Sequence, residues 1–172
     1  MARLLAGLDR LSEVATWGAA VAIVALMIAQ IFLVVLRYVF SGGYQWGQDL
    51  LVYLFMCSSV LPLTYVIVRN LSVRVDVFYA RYTQAKKTTL DRWGLLLLFL
   101  PVAISTVYAS WGPLINSWQI REASATFGGL PGLYLLKTLQ VLVFIALAVS
   151  ALLLGLKKRP WEYESSPPEG GE

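Results

Sequence analysis

Along this chain apolar and polar residues separate into blocks the length of whole helices. Four apolar runs, at residues 14–36, 50–68, 93–113 and 132–156, are divided by shorter stretches that hold most of the charge. The first run carries no charged side chain, and its roughly 23 residues would extend about 35 Å as a helix, enough to cross the hydrocarbon of a bilayer. The third opens on Trp93 and closes near Trp111, as aromatic anchors at the two membrane surfaces would. The pattern predicts four transmembrane helices.

Two further segments have an interfacial pattern. In residues 1–13, Leu4, Leu8 and Leu11 share one helical face, with Arg3, Asp9, Arg10 and Glu13 turned away from it. Residues 75–92 mix Phe78, Tyr79 and Tyr82 with Arg81, Lys86, Lys87 and Arg92, which suits a helix lying among lipid headgroups. The third helix is expected to run past the membrane and stop at Gly128-Gly129, with Pro131 opening the next element. Pro62 and Pro101 fall inside spans and predict bends. On the first span Ala15, Gly18, Ala22, Ala25 and Ala29 form a stripe of small residues that would admit close approach of another helix. Residues 157–172 are rich in Pro and Glu with little to bury, and predict a disordered tail after a single membrane domain at 1–156.

Composition agrees with this reading. Apolar residues make up 58% and charged residues 14%, against roughly 25% charged in a soluble domain. The fold class is therefore an all-α integral membrane protein, a bundle of four spans with amphipathic interfacial helices. Of the 14 basic residues, only Arg37, Arg121 and Lys137 fall on the side facing away from the termini. The others flank the opposite side, which places both termini in the cytoplasm. The net charge of +4 thus reports membrane topology and contact with lipids, and not a nucleic-acid partner.

Candidate chemistry is sparse. There is one cysteine, Cys57, and no histidine, so no disulfide within the chain, no usual haem ligand and no familiar metal cluster is expected. No Ser–His or Cys–His pairing is available for nucleophilic chemistry, so no catalytic residue is assigned. The middle of every span lacks a charged side chain and holds only mild polar groups, among them Gln30, Ser58, Ser105, Thr106, Tyr108 and Gln140. Such groups commonly bond to backbone or to a neighbouring helix. The charged residues that remain form an outer layer in which Arg37 ends the first span and Asp49 begins the second. Asp49 is expected to pair with Arg37 or Lys137, in a layer that would serve for local pairing or for docking another protein.

Several short stretches carry a family likeness. "RYVF" at 37–40, Trp46 with Asp49, Arg69 followed by "VRVD" at 73–76, and "GGLPGLY" before the last span together resemble the small, DctQ-type membrane subunit of TRAP transporters. These are tripartite ATP-independent periplasmic uptake systems of bacteria and archaea. The chain departs from the family pattern at Gln48, where a second acidic residue is common, and at Ser72, where histidine is common.

The resemblance implies a scaffold subunit in the cytoplasmic (inner) membrane, paired with a large membrane subunit that carries the substrate and sodium ions. A periplasmic substrate-binding protein would visit the pair transiently. It points to Arg37, Trp46, Asp49, Arg69, Arg74, Asp76 and Lys137 as structural or partner-contact residues, with no cofactor in this chain. The alternatives are the four-span small subunit of a tripartite tricarboxylate transporter and, further away, a membrane enzyme or redox anchor.

The asymmetry of basic residues makes a topology prediction. Reporters that work only outside the cytoplasm should be active when fused after Gly43 or near Ala125, and silent after Lys87 or Arg159. Activity after Lys87 would overturn four spans.

Overall fold

A backbone in hydrocarbon finds no water, so each N–H and C=O must be satisfied within the protein, and a helix does this locally. The computed structural model describes residues 2–71, 82–124 and 128–157, and the described residues are helical apart from turns and one isolated bridge between Ala123 and Pro131. Among the described residues four helical stretches are long and apolar enough to cross a membrane: Leu5–Val39, Gln45–Val68, Lys86–Gln119 and Leu133–Leu156.

Helix α1, Ala2–Val39, is one unbroken element of 38 residues. The segment 1–13 is therefore no separate surface helix where it is described; it continues the axis of the first span. No proline interrupts it, and at about 57 Å the helix exceeds the bilayer thickness. The same holds on the other side of the loop. Helix α4, Gln84–Trp93, runs through a π-helical segment, Gly94–Phe99, into α5, Leu100–Gln119. Residues 75–81 of the expected interfacial segment lie outside the described residues, as do 158–172 of the tail.

Proline sets the interruptions. The second span divides into α2, Gln45–Val60, and α3, Leu63–Val68, on either side of Pro62. Pro62 has no N–H to donate to the carbonyl four residues back, and its ring crowds that carbonyl. Pro101 stands at the start of α5, directly after the π-helical turn. The wider turn leaves room for a ring that a regular α turn would exclude.

Three helices end on left-handed residues that are not glycine: Ser41 (φ 50°), Asn70 (φ 58°) and Arg121 (φ 48°). After each, the next N–H folds back over the helix end: Leu71 to Val66 (2.9 Å) and Glu122 to Ser117 (2.9 Å) return five residues, and Gly42 to Leu36 (3.3 Å) returns six. The five-residue return is the Schellman arrangement, and all three bonds satisfy carbonyls that the helix end leaves free.

Helix α6, Leu133–Leu156, is the central element. In its most apolar window 39% of residues are buried, against 11–17% in the other three spans. It packs along α5 and against α3, while α1 packs along α2; no substantial contact joins α1 to α5. The helices thus form an open row and not a closed ring. The largest buried cluster, Leu5, Ile67, Leu95, Ala103, Leu147, Ala151 and Leu154, lies toward the end that carries both termini.

Close approach depends on small side chains. Ala103, Ala151 and Ser150 are fully buried, and on α1 the buried positions include Ser12, Ala19 and Ala22. Of the expected stripe, Ala15, Ala25 and Ala29 are half-buried, while Gly18 is exposed at its edge beside Leu61. The buried line follows the seven-residue step Leu5, Ser12, Ala19, so Ala19 takes the place assigned to Gly18. A Cβ on Gly155 would lie 2.7 Å from both Cγ and Cδ2 of Leu96. Gly155→Ala should therefore destabilise the protein by about 1–3 kcal/mol. Gly112→Ala, which meets nothing within 4 Å, should be neutral or slightly stabilising. Thermal unfolding in detergent measures both, and equal effects would deny the close contact.

Candidate functional site

Charged groups gather at the two ends of the row. At the end with the termini, Arg69 follows α3 and reaches across to α1. Its Nε lies 2.7 Å from Asp9 Oδ1, and its guanidinium also approaches Glu13 (3.8 Å) and the Tyr65 ring (5.6 Å from the centroid). Asp9 and Glu13 are one helical turn apart on the same face. The Asp9 hydrogen bond and charge raise the Arg69 pKa above its ordinary value. Beside this pair, Arg92 Nε donates to the Gly155 carbonyl (3.0 Å) at the last turn of α6. A cation is well placed there, because the final carbonyls of a helix lack intrahelical donors.

At the opposite end the centre is Lys137, in the first turns of α6. Its Nζ donates to Glu122 Oε2 (2.5 Å) and to Ser117 Oγ (2.7 Å). The Ser117 hydroxyl, 1% exposed, lies within hydrogen-bonding distance of both the Glu122 carboxylate and the Pro113 carbonyl (2.7 Å) and has one proton to offer them. Hydrogen bonds from Lys137 and then Ser117 hold the Glu122 carboxyl below the usual carboxylate range. Left-handed Arg121 is what folds Glu122 back over the end of α5.

Asp49, in the first turns of α2, has a different partner. Its Oδ2 accepts the Leu130 N–H (2.9 Å), while the Leu130 carbonyl accepts from Tyr53 Oη (3.3 Å) and from the Ser124 N–H (3.1 Å). Both polar groups of one loop peptide are thereby fixed to α2 and to the loop itself. Gly129 is required beside it, since a Cβ there would lie 2.3 Å from Asp49 Oδ2 and 2.4 Å from Ser124 Cβ. The same layer holds Trp118, whose Nε1 donates to Thr138 Oγ1 (2.9 Å) and whose ring meets Tyr134 edge-on at 4.7 Å.

The expected pairing of Asp49 with Arg37 or Lys137 is not formed. Glu122 stands nearer the lysine because the α5 cap delivers it there, and Asp49 is used by the Leu130 amide. Arg37 is exposed and in no ion pair among the described residues; it lines a pocket of about 310 Å³ with Gln45, Gln48 and Tyr44. Trp46 is 41% exposed and tilts against Tyr44 at 6.1 Å. Arg74 and Asp76 lie outside the described residues. Asp9, Glu13, Ser117 and Leu130 were not singled out from sequence. Asp9 and Glu13 carried a signal in their one-turn spacing, whereas a backbone partner such as Leu130 leaves none.

Chemically these contacts tie loops and helix ends together. Among the described residues no group of three His, Cys, Asp or Glu side chains could hold a metal ion. A groove of about 790 Å³ runs between α5 and α6 and is lined mainly by apolar groups such as Ile104, Trp111 and Ala148.

A family model described as tripartite ATP-independent periplasmic transporters, DctQ component, matches residues 23–157. The chain belongs to this family. No curated protein and no solved structure shows significant similarity to it. The match spans the second half of α1, from residue 23, and the other three spans in full. This DctQ protein is thus the small membrane component of a transporter and a multi-pass membrane protein. The family is a transport component and not a class of enzymes.

The Lys137–Glu122–Ser117 cluster makes a pH prediction. Because the Glu122 pKa is lowered in the folded state, its contribution is complete above the unfolded carboxylate pKa, about 4.3, and is lost as pH falls through the lower folded value. Glu122→Gln should lower the melting temperature at pH 7 and flatten its acid dependence. Lys137→Met should cost little more once Glu122→Gln is present, since the two act on one contact. Strictly additive losses in a double-mutant cycle would deny the pairing.

Proposed function

We propose that this DctQ protein is the fixed, scaffolding subunit of a TRAP transporter, paired with a large membrane subunit that carries the solute and sodium ions. A periplasmic binding protein delivers an organic acid or related solute to the pair, and the sodium gradient drives uptake. The chain sits in the cytoplasmic membrane of a bacterium or archaeon with both termini inside, as its basic residues favour.

One observation carries this reading. The mid-depth of each span offers no charged side chain to bind or relay an ion, and the described helices stand in an open row with an apolar groove between α5 and α6. Among the described residues such a row does not close into the ring of helices that an enclosed path would need. What it offers is a set of apolar walls whose ends are pinned by ion pairs and hydrogen bonds. A wall of this kind suits a partner that moves, because rigid-body motion requires something that stays still.

Proteoliposomes test the proposal. Vesicles would hold this subunit alone, the large subunit alone, or both, and each would receive binding protein, radiolabelled solute and an inward sodium gradient. Uptake is expected only with both. Uptake by this chain alone would sink the scaffold reading, and full uptake by the large subunit alone would make the scaffold dispensable.

A further inference from the structure

Several mid-span polar side chains are satisfied at home, whereas Tyr108 and the half-buried Gln140 form no hydrogen bond among the described residues. Ser58 donates to Phe55 O, Ser105 and Thr106 to Val102 O, and Ser150 to Ala146 O, each within its own helix. Gln30 is different. It is exposed on α1 and its amide forms no hydrogen bond with any described residue. Seven residues separate it from Arg37, so it lies about 10 Å below that cation along the helix axis, at a depth where water is absent. An amide has two donors and two acceptor sites, and acyl chains satisfy none of them.

Gln30 is not isolated on its flank. Ile23 (49% exposed), Met27 (59%), Gln30, Val34 (43%) and Arg37 recur at steps of four and three, and so share one face of α1. This face lies beside the one buried against α2. It is apolar except for two unpartnered groups, an amide at depth and a guanidinium at the surface. Lipid could serve the guanidinium through a phosphate, but only protein can serve the amide.

We propose that this flank of α1 is where a transmembrane helix of the large subunit seats, presenting a hydrogen-bonding side chain opposite Gln30. Interhelical contacts of this type are made by Ser, Thr, Asn, Gln or His. The proposal rests on the two-subunit reading above and adds to it the face that is used. Tyr108, 83% exposed in the groove between α5 and α6, also stands inside its span and marks the rival face, but its one hydroxyl leaves less to satisfy than the two donors and two acceptor sites of an amide.

The full-length chain would be co-expressed with the large subunit, carrying a photoreactive phenylalanine analogue at Met27 or Val34, or at Val21 or Ile28 on another side of α1. Adducts with the large subunit are expected from Met27 and Val34 and not from Val21 and Ile28. Gln30→Leu should leave the isolated chain at least as heat-stable as before, yet reduce recovery of the complex in mild detergent about three- to tenfold; Tyr108→Phe should leave recovery unchanged. Adducts confined to Val21 and Ile28, adducts between two copies of this chain, no protein adduct within a copurified pair, or loss of recovery from Tyr108→Phe but not Gln30→Leu would each overturn the assignment of the face while sparing the two-subunit reading. Failure of the two chains to copurify at all would remove both.

Discussion

Lipid tails are as apolar as leucine, so helices in a bilayer gain little from burying apolar surface against one another. What holds this chain together must therefore be close packing and polar contacts, and the molecule separates the two by depth. Close packing lies between the two charged ends and is densest toward the one that carries both termini, where Ala19, Ala22, Ala103, Ser150 and Ala151 let backbones approach. Polar contacts occupy the ends, where Arg69 and Arg92 act on one side and Asp49, Glu122 and Lys137 on the other. Helix α6 is the element on which both depend. It has the most buried window, Lys137 ties its start to α5, and its last turn receives Arg92.

Irregular backbone is what brings those ends into register. A straight continuation of α5 would carry Glu122 about 140° around the helix axis from Ser117. The left-handed Arg121 turns it back onto Ser117, within reach of Lys137. The break at Pro62 lets α3 take its own direction and delivers Arg69 to α1, while the π-helical turn before Pro101 keeps α4 and α5 continuous. Each irregularity lies beside a functional tie, in keeping with the tendency of π turns and strained caps to persist where surrounding contacts hold them.

Much of this fold was legible in the sequence because hydropathy over twenty residues is a strong signal and the bilayer removes alternatives to helix. The break at Pro62 was legible for a similar reason, since a missing N–H has one local consequence. Boundaries were harder to read. Residues 1–13 and 84–93 are amphipathic, and that pattern does not say whether a helix bends onto the surface or continues its axis; the latter occurs in both. The ion pairs were harder still. Asp49 and Lys137 were correctly placed in one layer, but their partners depend on a left-handed cap at Arg121 and on the Leu130 amide, and neither is encoded in charge or spacing. The family likeness carried Arg37 and Arg69 forward without distinguishing them. Arg69 binds α1, whereas Arg37 finds no acid within the described chain.

That contrast between two arginines bears on how such a subunit can work with a partner. Ties at the ends fix the spacing of the helices without using their outward faces, so the faces of α1 and α5 stay free over most of their length. A partner that packed on those faces would not need to break any contact that holds the row together, and assembly would cost the subunit little internal rearrangement. The reverse design, with charged pairs at mid-depth, would oblige a partner to compete with them in a medium where an unpaired charge is prohibitive. Keeping charge at the surfaces and smallness in the middle therefore reconciles two demands on one short chain: to hold its own shape, and to present a wall against which another protein can be placed.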